Sequence, residues 1–293
     1  MRYRYNDLDK TERLYYPDRL KFSINGECID DKLPFFYTLN VYGRELVARD
    51  IATKNYSTST SGGKSRYGKN KYSTSIKNAF IGSTLSQRQL TIQYRLISKT
   101  ESEMIENYSK LQFYINQEQA KLSFSDDSNY YYEGTFTGFE EVKSEKLDII
   151  GKLTFECIDP YKYTFKSFNK SFTNSTTFTC NSKYKVLLEE ITLLPNSSSG
   201  YVEIANSTSA NKIKILNKYS DKVIINCIQN TVKDSTNRNR MSDVDIFSDL
   251  EDFEILNGDR LSVTGASSCG IKYKERGLWC YIFLIIKKNC LDI

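Results

Sequence analysis

Gly151-Lys152-Leu153-Thr154-Phe155-Glu156-Cys157-Ile158-Asp159-Pro160-Tyr161-Lys162-Tyr163 is the stretch that divides this chain. Leu153, Phe155 and Cys157 alternate with Lys152, Thr154 and Glu156, the period of a strand with one buried face. Asp159-Pro160 then stops it, because proline has no amide hydrogen for a ladder and holds the residue before it in extended or turn geometry. A strand ending in Asp-Pro near the middle of 293 residues reads as the exit from one domain and the entry to another. An ordinary strand followed by a turn is the simpler alternative on composition alone.

Upstream of this stretch, Leu20–Ile24 alternates as a strand and Asn25-Gly26 marks a tight hairpin. Phe35–Val41 and Leu46–Ile51 are the next strands, separated by Tyr42-Gly43-Arg44. Thr53–Ser75 is polar and predicts a mobile loop or a long hairpin, with Lys64, Arg66, Lys69 and Lys71 as a candidate partner-contact loop. Its Gly62-Gly63-Lys64-Ser65 is no phosphate-binding loop, since Thr58 stands where the first glycine is required. Gln89–Ile97 is a strand with Leu90, Ile92, Tyr94 and Leu96 on one face. Thr100 and Glu103 open a helix as a capping box, and Met104, Tyr108, Leu111 and Ile115 form its apolar stripe. Ala120–Ser125 and Tyr130–Phe139 are strands around Asp126-Asp127-Ser128-Asn129, read as a solvated turn because its spacing does not complete a calcium loop.

Downstream, strand candidates recur at Val186–Leu194, Tyr201–Ala205, Lys212–Leu216, Lys222–Ile228, Phe253–Leu256, Arg260–Val263 and Tyr281–Ile286. This spacing, with turns such as Pro195–Gly200, predicts a β-sandwich. Thr236–Asp243 is a polar break and a second candidate partner-facing loop. Asp249, Glu251, Asp252 and Glu254 read as solvated surface.

Composition narrows the function. The chain has no histidine, which excludes a histidine base, a Ser–His or Cys–His nucleophile and a histidine metal ligand. No catalytic, cofactor-binding or metal residue is assigned, and no cofactor is expected. Seven cysteines without a CxxC pair read as reduced thiols, with Cys157 and Cys227 in apolar strands. A net charge of +5 implies no strongly basic surface and no sequence-specific nucleic-acid binding. The N-terminus lacks the apolar core of a signal peptide. The longest apolar run, Leu278–Ile286, has nine residues where a membrane helix needs about 20. With 22 tyrosines and few long helical patterns, the fold class expected is mainly β, two sandwich-like domains with one helix in the first.

The order of these segments resembles the distal tail protein (Dit) family of long-tailed phages of Gram-positive hosts. The resemblance is carried by Phe22-Ser23-Ile24-Asn25-Gly26, Gly43-Arg44, the strand 89–97 with its helix, and Tyr131-Tyr132-Glu133-Gly134. It continues in Phe155, Cys157, Asp159, Pro160, Tyr161 and Tyr163, then in Phe253–Val263 and Tyr273-Lys274-Glu275-Arg276. It covers roughly 20–276. Residues 1–19 are an extension, and 277–293 continue past the pattern.

The resemblance implies a ring-forming domain at 20–165 and a galectin-like sandwich at 166–293. It further implies a homohexameric ring, the baseplate hub, at the distal end of a virion tail assembled in the host cytoplasm. That ring would join the major tail tube protein to the tail-associated tip protein, with the tape measure and receptor-binding proteins as further partners. The alternative is a carbohydrate-binding sandwich, in which Tyr130, Tyr131, Tyr132 or Trp279 would stack on sugars.

Overall fold

The computed structural model describes residues 20–33, 35–60, 73–145, 147–218 and 221–278. The first part runs β1 (Phe22–Ile24), β2 (Glu27–Cys28), α1 (Ile29–Lys32), β3 (Phe36–Tyr42), β4 (Arg49–Thr60), β5 (Ser73–Leu85) and β6 (Arg88–Ile97). It continues with α2 (Glu101–Ile115), β7 (Ala120–Phe124), β8 (Tyr130–Glu145), β9 (Asp148–Cys157) and β10 (Lys162–Thr164). One sheet takes the order β2-β1-β7-β8-β9-β6-β3, all antiparallel, with β10 added beside the start of β8.

Local chemistry explains these elements. Asn25 and Gly26 hold φ of 50° and 85°, so β1 returns as β2 through a two-residue turn whose twist matches the strands. In β6, Leu90, Ile92, Tyr94 and Leu96 are all buried, and in β9 Ile149, Leu153, Phe155 and Cys157 are buried in alternation. At the helix start, Glu103 N donates to Thr100 Oγ1 at 3.1 Å, and the Glu103 carboxylate accepts from Lys99 N at 2.7 Å. The stripe of α2 buries Met104, Leu111 and Ile115 in the core of that sheet, with Tyr108 packed at its margin. Asp30 of α1 accepts from Phe22 N and Thr38 N at 3.1 and 2.8 Å, tying β1 to β3.

The polar segment 53–75 is less of a loop than its composition suggests. β4 and β5 pair continuously from Arg49↔Leu85 to Thr60↔Ser73, with one irregularity at Ala52. Twelve residues at roughly 3.3 Å each make a ribbon about 40 Å long. Among the described residues it pairs with no other sheet. Lys64, Arg66, Lys69 and Lys71 lie outside the described residues.

The second part comprises β11 (Phe168–Phe172), β12 (Ser175–Thr177), β13 (Leu187–Pro195), β14 (Tyr201–Asn206) and β15 (Asn211–Leu216). It ends with β16 (Val223–Asn226), β17 (Thr231–Asp234), β18 (Arg260–Thr264), β19 (Ala266–Lys274) and β20 (Arg276–Gly277). The sheets β11-β19-β13-β16-β17 and β12-β18-β14-β15 enclose one core that includes Phe178, Ile191, Ile204, Ile215, Ile225 and Ile271. Phe253–Leu256, expected as a strand, joins no sheet, although Ile255 O accepts from Val186 N at 2.9 Å and Phe253 and Ile255 enter this core. The run 281–286 lies outside the described residues.

The last described strand does not stay with the sandwich. β20 pairs with β10, Lys162 opposite Gly277 and Tyr163 opposite Arg276, and so joins the first sheet.

Candidate functional site

The junction of the two parts gathers Gly43, Asp159, Pro160, Tyr161 and Tyr163 of the residues singled out in the sequence. Arg88 opens β6 in phase with Leu90 and Ile92, so the strand's alternation carries its guanidinium to the buried face, where it is 2% exposed. It donates to three carbonyls from three segments. Nε reaches Pro160 O at 2.8 Å, Nη1 reaches Gly43 O at 2.7 Å and Nη2 reaches Leu278 O at 2.8 Å. The same guanidinium lies over the Tyr132 ring, 5.2 Å from its centroid. Gly43 sits at φ 88°, and a Cβ there would stand 1.9 Å from Gln89 O. No other residue fits this close backbone crossing.

Arg44 is 3% exposed, donates to both oxygens of Asp126 at 2.7 and 2.8 Å, and stacks on Phe124 with 4.8 Å to the centroid. Lys162, equally buried, pairs with Asp127 and lies 4.2 Å from the Tyr130 ring centroid. The turn after β7 is exposed at Asp126, Ser128 and Asn129, as read from the sequence, with Asp127 partly buried. Its two carboxylates are pinned by buried cations from β3–β4 and β10, partners 82 and 35 residues away.

Asp159 accepts from Tyr161 N at 3.0 Å and from the Tyr163 hydroxyl, which makes the Asp-Pro stop an ordered elbow. Arg276 Nη2 reaches Asp159 at 3.8 Å, and its guanidinium covers the Tyr161 and Tyr163 rings at 5.3 and 5.4 Å. Burial pushes the Tyr163 hydroxyl well above its usual pKa, and Tyr131 to about 12. Lys274 of β19 donates to Tyr131 Oη at 2.9 Å. Thr164 and Glu275 close the seam, with Thr164 N on Glu275 O at 3.1 Å and Glu275 N on Thr164 Oγ1 at 3.2 Å.

Asn25 and Gly26 stand at the β1–β2 turn. Phe155 lies in the first core, 5.8 Å from the Phe22 ring and 5.6 Å from Phe136. Gly134 makes room for Cys157 and Leu122, which a Cβ would meet at 3.0 and 2.9 Å. Sequence reasoning passed over Arg88, gave Lys162, Lys274 and Glu275 no role of their own, and read Asp126 and Asp127 only as a turn. For Arg88 a signal existed: a charged residue in register with a buried strand face.

Of the aromatics named for sugar stacking, Tyr130 is partly exposed with Lys162 over its ring. Tyr131 and Tyr132 are 1% and 2% exposed, and Trp279 lies outside the described residues. No group of three His, Cys, Asp or Glu side chains suited to a metal occurs among the described residues, and no helix among them is long and apolar enough to cross a membrane.

No protein-family model and no curated protein sequence matches the chain. Among solved structures, the crystal structure of phage SPP1 Dit, a hub adsorption protein of phages infecting Gram-positive bacteria, matches with a TM-score of 0.69 at 16% identity. The alignment covers 88% of this chain and 99% of that one. The chain has the distal tail protein fold. The phage P2 baseplate in its activated conformation with calcium also matches, at a TM-score of 0.47, 11% identity and coverage of 89% and 99%. The match to SPP1 Dit, at 88% of this chain, extends over both parts.

Proposed function

We propose that the protein is a structural component of a phage tail: a hexameric distal tail ring, the baseplate hub, between the tail tube and the host-recognition proteins. The observation that carries this reading is the fold match over 99% of SPP1 Dit, a protein whose described role is that of an adsorption hub. In this reading residues 20–165 build the ring, 166–293 carry an outward galectin-like sandwich from which 276–277 return to the first sheet, and the chain is no enzyme. The motif residues Asn25, Gly26, Gly43, Arg44, Gly134, Phe155, Cys157, Asp159, Pro160, Tyr161 and Tyr163 shape the ring part and its elbow.

The β4–β5 ribbon supports the ring. A two-stranded ribbon is marginal by itself in water. This one shows Ile51 and Ile81 at 65% and 62% exposure, with Leu46 at 75% just before it. A head-to-tail contact with the next copy would cover them, and such contacts close into rings. Negative-stain electron microscopy of the purified full chain tests the reading. Six-fold rings are expected, and they should be lost in an Ile51→Asp/Ile81→Asp variant that keeps its circular dichroism spectrum. A monodisperse monomer at micromolar concentration would refute it.

A further inference from the structure

On the sandwich, a short segment between β17 and β18 runs beside the edge strand β15 and presents two adjacent apolar side chains to water. Ile246 is 88% exposed and Phe247 76%. The backbone beneath them is fixed. Ser248 N donates to Asp245 O at 2.9 Å and Phe247 N to Asp245 Oδ1 at 2.9 Å, closing a turn over the two apolar positions. Both flanks are bonded to β15: Asp245 N to Lys214 O and Asp249 N to Lys212 O at 2.8 Å, with Lys214 N on Ser248 Oγ and Lys212 N on Asp249 Oδ2 at 2.9 Å. Val244 and Leu250 pack against the sandwich core on either side. Below, buried Arg240 bonds Asp243 and donates to Leu216 O at 2.8 Å, while Lys218 pairs with Asp243.

The sequence of this segment is acidic. From Met241 to Asp259 the sequence carries Asp243, Asp245, Asp249, Glu251, Asp252, Glu254 and Asp259 and no Lys or Arg, in a chain whose net charge is +5. Asp245, Asp249, Glu251 and Asp252 join no ion pair among the described residues. Asp243 is paired with Arg240 and Lys218 and Glu254 with Lys185, and Lys214 on β15 lies with its Nζ over the Tyr201 ring at 4.4 Å.

We propose that Asp245–Ser248 is a docking knob for a second, different tail protein, inserting Ile246 and Phe247 into an apolar pocket rimmed by Lys or Arg. This rests on the reading of the chain as a tail hub. An aromatic and an aliphatic side chain on a turn already held in shape bind without an ordering cost, the condition under which a small contact becomes a hot spot. The carboxylates choose the partner, since they repel anionic lipid and favour a basic rim, and they make binding salt-dependent.

The test supplies the full-length protein in trans to phage deleted for the gene, as wild type, Ile246→Ser/Phe247→Ser, or Phe247→Lys. Both altered side chains face water, so unchanged circular dichroism and entry into tails are expected for the variants. Mass spectrometry of purified tails should show one outer protein missing from the variant particles only. That protein, purified, should bind wild type and lose roughly 30-fold or more in affinity for either variant, with wild-type binding weakening between 50 and ~500 mM salt. Variant tails that keep every protein at wild-type abundance overturn the knob alone. A variant whose only change is weaker self-association overturns it too, because the occupant would then be a second copy. Wild type absent from tails overturns the hub reading and the knob with it.

Discussion

Replacing Arg88 by Met isolates what the junction contributes. The side chain lies in the first sheet but reaches Gly43 O, Pro160 O and Leu278 O, so its loss leaves three carbonyls without their donor. Removing a charged donor from a buried acceptor costs about 1–3 kcal/mol per acceptor. The bond to Pro160 O is buried, whereas those to Gly43 O and Leu278 O are partly open to water, which replaces some of the loss. Counting about 2 kcal/mol for the first and about 1 for each of the others gives about 4 kcal/mol. For a protein of this size that is a fall in midpoint of roughly 5–8 °C. Thermal and urea unfolding followed by circular dichroism measure it, with Arg88→Lys expected to fall between, because an ammonium cannot span three carbonyls. A loss below about 1 kcal/mol in Arg88→Met would show that these carbonyls find other donors and that the clamp is ornamental.

Three further outcomes are expected. Lys162→Met should cost about 1–3 kcal/mol by leaving partly buried Asp127 unpaired, and Lys162→Met/Asp127→Leu should recover most of it in the same unfolding assay. Asp234 is held below the usual carboxylate range by its bonds to Thr236, and Asp243 likewise because Lys218 and Arg240 outweigh the opposing effect of burial. Their stabilisation is complete above the ordinary value of about 3.9 and lost as pH falls through the depressed values, so an Asp243→Asn variant should show a shallower loss of stability below about pH 4. Burial pushes the Cys157 and Cys269 thiols up to about 12, so mass spectrometry should find both unalkylated by iodoacetamide at pH 8 until the protein unfolds.

What the sequence disclosed and what it hid follow one physical line. β6, β9, α2 and the Asn25-Gly26 turn were legible because each is specified by neighbours within a few positions: alternation, a capping pair, a residue tolerant of positive φ. The β4–β5 ladder was legible only as one of two alternatives, a loop or a long hairpin, since its Ser- and Thr-rich sequence leaves no hydrophobic period to read. The roles of Asp126 and Asp127 were hidden because their cations come from distant positions on other strands. The terminal strand of the resemblance, 273–276, was visible as a strand, but not that it splits at Glu275 and changes sheets. Ile246 and Phe247 look like any pair of core residues in sequence. Only the bonds from Asp245 and Asp249 to β15 show that they point away from the core.

The return of β20 to β10 has a consequence in time. During synthesis the first 165 residues leave the ribosome more than a hundred residues before Arg276 and Gly277, which are needed to complete the edge beside Lys162 and Tyr163. Until then Arg88 lacks its Leu278 acceptor and the elbow lacks the Arg276 guanidinium. A nascent chain can therefore collapse around its first core, yet it finishes that sheet only after the sandwich has been made. Chains released early carry an unfinished edge, and the step that seals the fold doubles as a check that the polypeptide has reached residue 278.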